Sequence, residues 1–255
     1  MDTLFQDISI TWIIGLMCVA FAAGYIDAVA GGGGMLQLPA LLFVGVPPVA
    51  ALATNKIVGF TGTLLAVIKY ALEKKIHWKI VFYAAIPCLI ASYFGSQVAM
   101  LLNTEVLIWM MLLCIPVALF FVLKKNQNHS KNQVIDSPTK TIAAIAPLGF
   151  YDGLLGPGTG SYMAIVIHRF LKYDFLTATA SVKPLNLLTN LGSAIAFLLA
   201  GKVIWMIALP MAGSSALGGW LGGKSAITGG EEFVRKVLIA VLIFMLLANM
   251  AKMIW

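Results

Sequence analysis

The chain has 255 residues, of which 60% are hydrophobic and only 11% charged, where a soluble domain carries about a quarter charged residues. That balance excludes a soluble domain and marks a membrane protein. The net charge of +7 does not point to nucleic acid, because the bases are scattered over short polar connections in the manner of a topology signal.

Apolar runs close to the roughly 20 residues that cross a bilayer follow one another along the chain. The first, Ile10–Ala30, is preceded by Met1–Gln6 without a positive stretch and leads straight into a glycine turn, so it reads as a retained span and not as a signal peptide. Asp27 lies near its end, and the turn Gly31–Gly34 follows. Glycines cost about 1 kcal/mol each relative to alanine inside a helix, so four in a row predict a break. The next apolar piece, Met35–Val46, is too short to span alone and reads as a re-entrant segment or half of a broken helix. Pro47-Pro48 then starts a second long span, Val49–Leu72, which carries Thr54-Asn55-Lys56. A basic connection, Glu73–Lys79, leads to the spans Ile80–Leu102 and Val106–Leu123, and the polar stretch Lys124–Lys140 closes the first half.

The second half repeats this order. Thr141–Leu155 carries Asp152, the turn Gly156-Pro157-Gly158-Thr159-Gly160 follows, Tyr162–Ile167 is again short, and Phe175–Ala200 carries Lys183. Val203–Leu221 and Phe233–Met250 complete it. Asp27 and Asp152 are 125 residues apart, as are Gly31 and Gly156, and with a small slip Lys56 matches Lys183 and Trp78 matches Trp205. One unit has been used twice. The expected fold class is an all-α polytopic membrane protein of about eight transmembrane helices in two repeats of about four spans, with glycine-broken re-entrant segments. Residues 1–123 form the first repeat, 124–140 the linker and 141–255 the second repeat. An even number of crossings per repeat makes the repeats parallel. The basic stretches Glu73–Lys79 and Lys124–Lys131 place both termini inside under the positive-inside rule, although His168-Arg169 and Arg235-Lys236 then lie toward the outside.

Most charges sit at span ends, but Asp27, Lys56, Asp152 and Lys183 are embedded in apolar sequence. A charge at the bilayer centre costs about 2.5–3.5 kcal/mol on insertion scales, so these four need partners or a wet pathway. Two readings stay open: acids and bases pair to hold the halves together, or they bind or couple an ion. Thr179, Lys183, Asn186 and Asn190 recur at helical spacing and share one face, and that face cannot look at lipid. Lysine charge, amide and hydroxyl donors and the N-termini of half-helices that start after glycine turns all favour a small anion. Candidate substrate-binding residues are therefore Thr54, Asn55, Lys56, Thr159, Thr179, Lys183, Asn186 and Asn190, with the turn glycines Gly33, Gly34, Gly158 and Gly160. Asp27 and Asp152 repel an anion while ionised, so they are assigned to fixing the turns or to carrying a coupling ion.

Other chemistry fails on inspection. Gly156–Ser161 lacks the Gly-Lys-Ser/Thr ending and preceding strand of a phosphate loop. His77, His129 and His168 are scattered among connections, and Cys18, Cys88 and Cys114 lie singly in different runs. No metal, cofactor or catalytic residue is expected. Two intramembrane acids with Tyr151-Asp152 and Pro39-Ala40-Leu41 suggest an intramembrane aspartyl protease, but no Gly-x-Gly-Asp occurs and the Pro-Ala-Leu run is misplaced.

Asp27 with Gly31–Gly34, Thr54-Asn55-Lys56, Asp152 with Gly156–Gly160, and Lys183 with Asn186 and Asn190 together resemble the TauE/SafE sulfite exporter family, also called the 4-toluene sulfonate uptake permease family. Both repeats match, so the resemblance covers nearly the whole chain; Pro184, directly after the lysine, departs from the pattern. The resemblance implies a multi-pass secondary carrier of the bacterial inner membrane for sulfite, sulfonates or related small sulfur-containing anions, with an anion channel as the alternative. Its partners are then a small anion and the lipid bilayer, with further copies of the chain left open and nucleic acid not among them.

Overall fold

The structure, a computed structural model, describes residues 10–103, 105–106 and 137–254. Described residues form helices α1 (Ile10–Ala30), α2 (Gly34–Phe43), α3 (Pro48–Leu72), α4 (Trp78–Ala99), α5 (Pro138–Leu154), α6 (Thr159–Phe170), α7 (Phe175–Leu199) and α8 (Trp205–Ile254). The span expected at Val106–Leu123 and most of the 124–140 linker lie outside the described residues, as do Cys114 and His129. Among the described residues four helices, α1, α3, α4 and α7, are long and apolar enough to cross a membrane.

Local sequence explains most boundaries. Pro48 stands at the first position of α3 and Pro138 at that of α5, where a missing N–H costs nothing and φ is already helical. The end of the stretch read as linker, Pro138-Thr139-Lys140, is thus the first turn of α5. Asp174 caps α7 by accepting the Thr177 N–H at 2.8 Å. As expected, α2 and α6 are short, about 15 and 18 Å at 1.5 Å per residue, against a hydrocarbon core of about 30 Å.

The spans expected at Val203–Leu221 and Phe233–Met250 fall on two helical stretches of α8 that meet at Gly230, whose φ of 68° and ψ of −166° are not helical, so the first stretch continues past Leu221. Glycines in the stretch before that break are contact points. A Cβ on Gly218 would lie 2.1 Å from the Phe21 carbonyl oxygen of α1, and one on Gly222 would lie 2.3 Å from that of Tyr25. With Ala226, which is fully buried, they form a small-residue stripe at four-residue spacing that lets two helix backbones approach closely.

The same device joins α5 to α4, since a Cβ on Gly153 would lie 1.9 Å from the Ser92 carbonyl oxygen. Through its stretch before Gly230, α8 therefore packs on α1, and α4 from the first half packs on α5 from the second, while α3 and α7 pack against each other. Neither half encloses its own core. Large apolar side chains such as Phe82, Ile86, Phe94, Leu209 and Leu217 face outward, as lipid contact requires, and the matched Trp78 and Trp205 stand half exposed at the starts of α4 and α8.

The glycine stripe supplies a stability test. Gly153→Ala should lower stability by about 1–3 kcal/mol, because a methyl forced between two backbones overpacks the interface. Gly15→Ala should be neutral or stabilise by up to about 1 kcal/mol, because nothing lies within 4 Å of a Cβ there. Thermal unfolding in detergent compares the two; equal shifts would contradict the packing described.

Candidate functional site

The site grows out of the two helix breaks. Where α1 ends, the Gly31 N–H still makes a helical bond to the Asp27 carbonyl at 2.7 Å, and carbonyls beyond it that lack helical partners are taken up by other elements: the Tyr70 hydroxyl donates to that of Ala28 at 3.0 Å and the Ser161 hydroxyl to that of Ala30 at 2.6 Å. The Ser161 N–H donates to the Gly31 carbonyl at 3.2 Å, so the two glycine turns touch each other back to back. Only glycine fits this contact: Gly31 has φ of +82°, and its Cβ would lie 2.3 Å from the carbonyl carbon of Gly160.

Each lysine reaches across to the broken helix of the other half. Lys56 Nζ of α3 donates to the Asp152 carbonyl at the end of α5 and lies 3.0 Å from Asp152 Oδ1. Lys183 Nζ of α7 donates to the Asp27 carbonyl near the end of α1 and lies 3.3 Å from Asp27 Oδ2. Both ammonium groups thus occupy the negative ends of helix dipoles as well as facing carboxylates. The lysine side chains are 1% and 0% exposed, against 3% for Asp152 and 17% for Asp27, so the Lys56–Asp152 pair is the more deeply buried, a position in which losing one partner is far more costly than losing both.

The acids are held differently. Asp27 Oδ1 accepts the Gly33 N–H at 3.3 Å, while its Oδ2 accepts from Thr63 Oγ1 and from Lys183, each at 3.3 Å. Asp152 Oδ1 faces Lys56, but Asp152 Oδ2 is buried with no hydrogen-bond partner among the described residues.

Between the breaks lies a cavity of about 30 Å³, room for roughly two water-sized groups. Asp27, Lys56 and Asp152 line it with the amides Asn55, Asn186 and Asn190, and the turn glycines Gly33, Gly34, Gly158 and Gly160 form its walls. Thr54, Thr159, Thr179 and Lys183 do not line it. The Thr54 hydroxyl accepts the Ile204 N–H at 3.3 Å, and that of Thr159 donates to the Gly156 carbonyl at 2.9 Å; Lys183 stands behind Asp27. Thr179 shares the helix face of Asn186 and Asn190, but the stripe is longer than the cavity.

Sequence reading missed Gln37, Thr63 and Ser215, all of which line the cavity. Gln37 had a signal, being the one polar side chain within Met35–Val46. Ser215 is seated by two glycines, since a Cβ on Gly24 would lie 2.3 Å from its carbonyl oxygen and one on Gly62 would lie 2.3 Å from its hydroxyl. Gln37 Oε1, Asn55 Oδ1 and Ser215 Oγ are, like Asp152 Oδ2, buried without a partner among the described residues. A buried polar lining left this incomplete awaits something that can hydrogen-bond to it.

The family model of the sulfite exporter TauE/SafE matches residues 16–249. The chain belongs to the TauE/SafE family. That is a family of membrane transporters and not of enzymes, so the paired acids are not those of a protease. This TauE/SafE protein is 32% identical over 247 residues to a probable membrane transporter protein of Haemophilus influenzae, with 96% of each chain covered. It is 34% identical to a probable membrane transporter protein of a Sinorhizobium species, covering 92% of this chain and 91% of the relative. It is also 32% identical to the probable membrane transporter protein YfcA of Escherichia coli K12, covering 89% and 85% respectively. No solved structure matches this chain significantly. Among the described residues no group of three or more His, Cys, Asp or Glu could hold a metal ion.

Proposed function

We propose that this protein is a secondary carrier of a small sulfur-containing anion, sulfite or a short sulfonate, built from two parallel repeats of about four spans in a bacterial inner membrane. The observation that carries this reading is the cavity at the meeting point of the two helix breaks, where Lys56 and three asparagine amides converge in a TauE/SafE transporter. A buried ammonium supplies charge, amides supply donors, and the N-terminal ends of α2 and α6, represented in the walls by Gly33, Gly34, Gly158 and Gly160, add the positive ends of two helix dipoles. Discontinuous helices meeting near the bilayer midplane serve substrates in this way in other carrier folds.

Size narrows the substrate. Room for roughly two water-sized groups suits a pyramidal oxyanion head or a short sulfonate better than an aryl sulfonate. A cavity this small and filled with paired charge also favours a carrier over a channel, which needs a continuous wet path.

Counterflow in proteoliposomes tests the reading. Vesicles preloaded with unlabelled sulfite should transiently accumulate labelled sulfite above equilibrium, with saturable uptake. Ohmic single-channel currents, or uptake that rises without saturation, would replace the carrier with a channel.

A further inference from the structure

The two acids match in sequence but not in their surroundings. Both oxygens of Asp27 are engaged, by a turn N–H, a threonine hydroxyl and a lysine. Asp152 has one oxygen on Lys56 and one, Oδ2, bare, buried and in the wall of the cavity. The cause is visible in the alignment of the halves. At the offset that matches Lys56 with Lys183, Thr63 corresponds to Asn190, and no hydrogen bond joins Asn190 to Asp152 in the fold.

A bare carboxylate oxygen beside an anion site is a contradiction while it is charged. The titratable and charged groups facing Asp152 are Lys56 on α3, Cys88 on α4 and, beyond Lys56, Asp27 on α1; Lys183 on α7 is held by Asp27. Of these, Lys56 is the cation in contact with Asp152, and it cannot serve an incoming anion at full strength while the carboxylate competes for it.

A proton on Asp152 Oδ2 resolves all of this at once. It removes the repulsion, weakens the hold on Lys56, and converts a bare acceptor into an O–H donor directed at the anion. Resting on the anion-carrier reading above, we propose that Asp152 is the coupling residue: each anion enters the cavity together with one proton from solution that binds Asp152, while Asp27, both of whose oxygens are engaged, holds the first glycine turn. The step is balanced, since one H⁺ and one anion enter the site and no bond other than O–H is formed.

Methanesulfonate, whose charge does not change from mildly acid to mildly alkaline pH, is the probe, used on the full chain in lipid nanodiscs. Binding to the parent should weaken as pH rises, approaching about tenfold per pH unit where a full proton is linked. Mixing in weakly buffered solution with a pH indicator should show uptake of one proton per anion. In Asp152→Asn the amide replaces the O–H donor, so binding should persist, lose its pH dependence and take up no proton. Glu73→Gln, at an exposed acid paired with Lys69 away from the cavity, should keep both. Parent binding that is independent of pH, or that requires sodium in place of acid, overturns the coupling role while sparing the anion site. Absence of binding at every pH overturns both. Proton uptake that survives in Asp152→Asn moves the coupling group elsewhere, and if that variant does not fold, the proton count on the parent decides.

Discussion

Lys56→Ala is expected to abolish anion exchange and to lower stability by about 3–5 kcal/mol, the usual consequence of stranding one member of a buried ion pair. The magnitude follows from burial, since the side chains of Lys56 and Asp152 are 1% and 3% exposed and the ammonium also occupies the open carbonyl of Asp152. Combining Lys56→Ala with Asp152→Asn separates the two effects. The double variant has no stranded charge and should recover most of the stability, yet exchange stays absent because the cation is gone. Lys183→Ala should be milder, because Asp27 keeps its bonds from Gly33 and Thr63. Thermal unfolding in detergent and counterflow on the same preparations provide the readings. A Lys56→Ala protein that matches the parent in both would remove the lysine from the site and from the pair.

Gly31→Ala is expected to lower stability by about 2–5 kcal/mol. Left-handed backbone costs an L residue roughly 1–2 kcal/mol, and forcing a methyl into the Gly160 backbone adds about 1–3 kcal/mol of overpacking. Two other glycines with closely similar φ calibrate the figure. Gly45 has nothing within 4 Å of where a Cβ would stand, so Gly45→Ala isolates the backbone cost. Gly156→Ala places its methyl 3.1 Å from Lys56 Nζ, which should disturb exchange more than stability. The expected order of melting temperatures is Gly45→Ala highest, Gly156→Ala between and Gly31→Ala lowest. An equal loss for all three would mean that the turns do not depend on touching each other.

Much of the site is legible in the sequence because charge buried in apolar sequence is conspicuous. Asp27, Lys56, Asp152 and Lys183, the glycine breaks and the Asn186/Asn190 face all stand out from their neighbours. The crosswise pairing is not legible. It joins residues 96 and 156 positions apart, and which acid meets which lysine depends on how α3 and α7 pack, which no local pattern records. Thr54 is a candidate in sequence for its place beside Lys56, but two residues along a helix turn a side chain to nearly the opposite face, where it meets Ile204. Ser215 escapes notice because a serine among glycines and alanines looks like ordinary helix packing. The contact role of Gly218 and Gly222 is not legible either, because glycine both breaks helices and lets them touch, and only the neighbouring backbone shows which role applies.

The pairing of two lysines with two carboxylates also has an electrical consequence. Their formal charges cancel, so a membrane potential does no net work when the four move together, whereas one uncompensated elementary charge carried across would be worth about 2.3 kcal/mol per 100 mV. Under the carrier reading proposed above, an unladen protein would therefore reset between the two faces of the membrane with no net work done by the potential on these four charges. Any sensitivity to the potential then resides in the cargo, and a monovalent anion accompanied by one proton brings none.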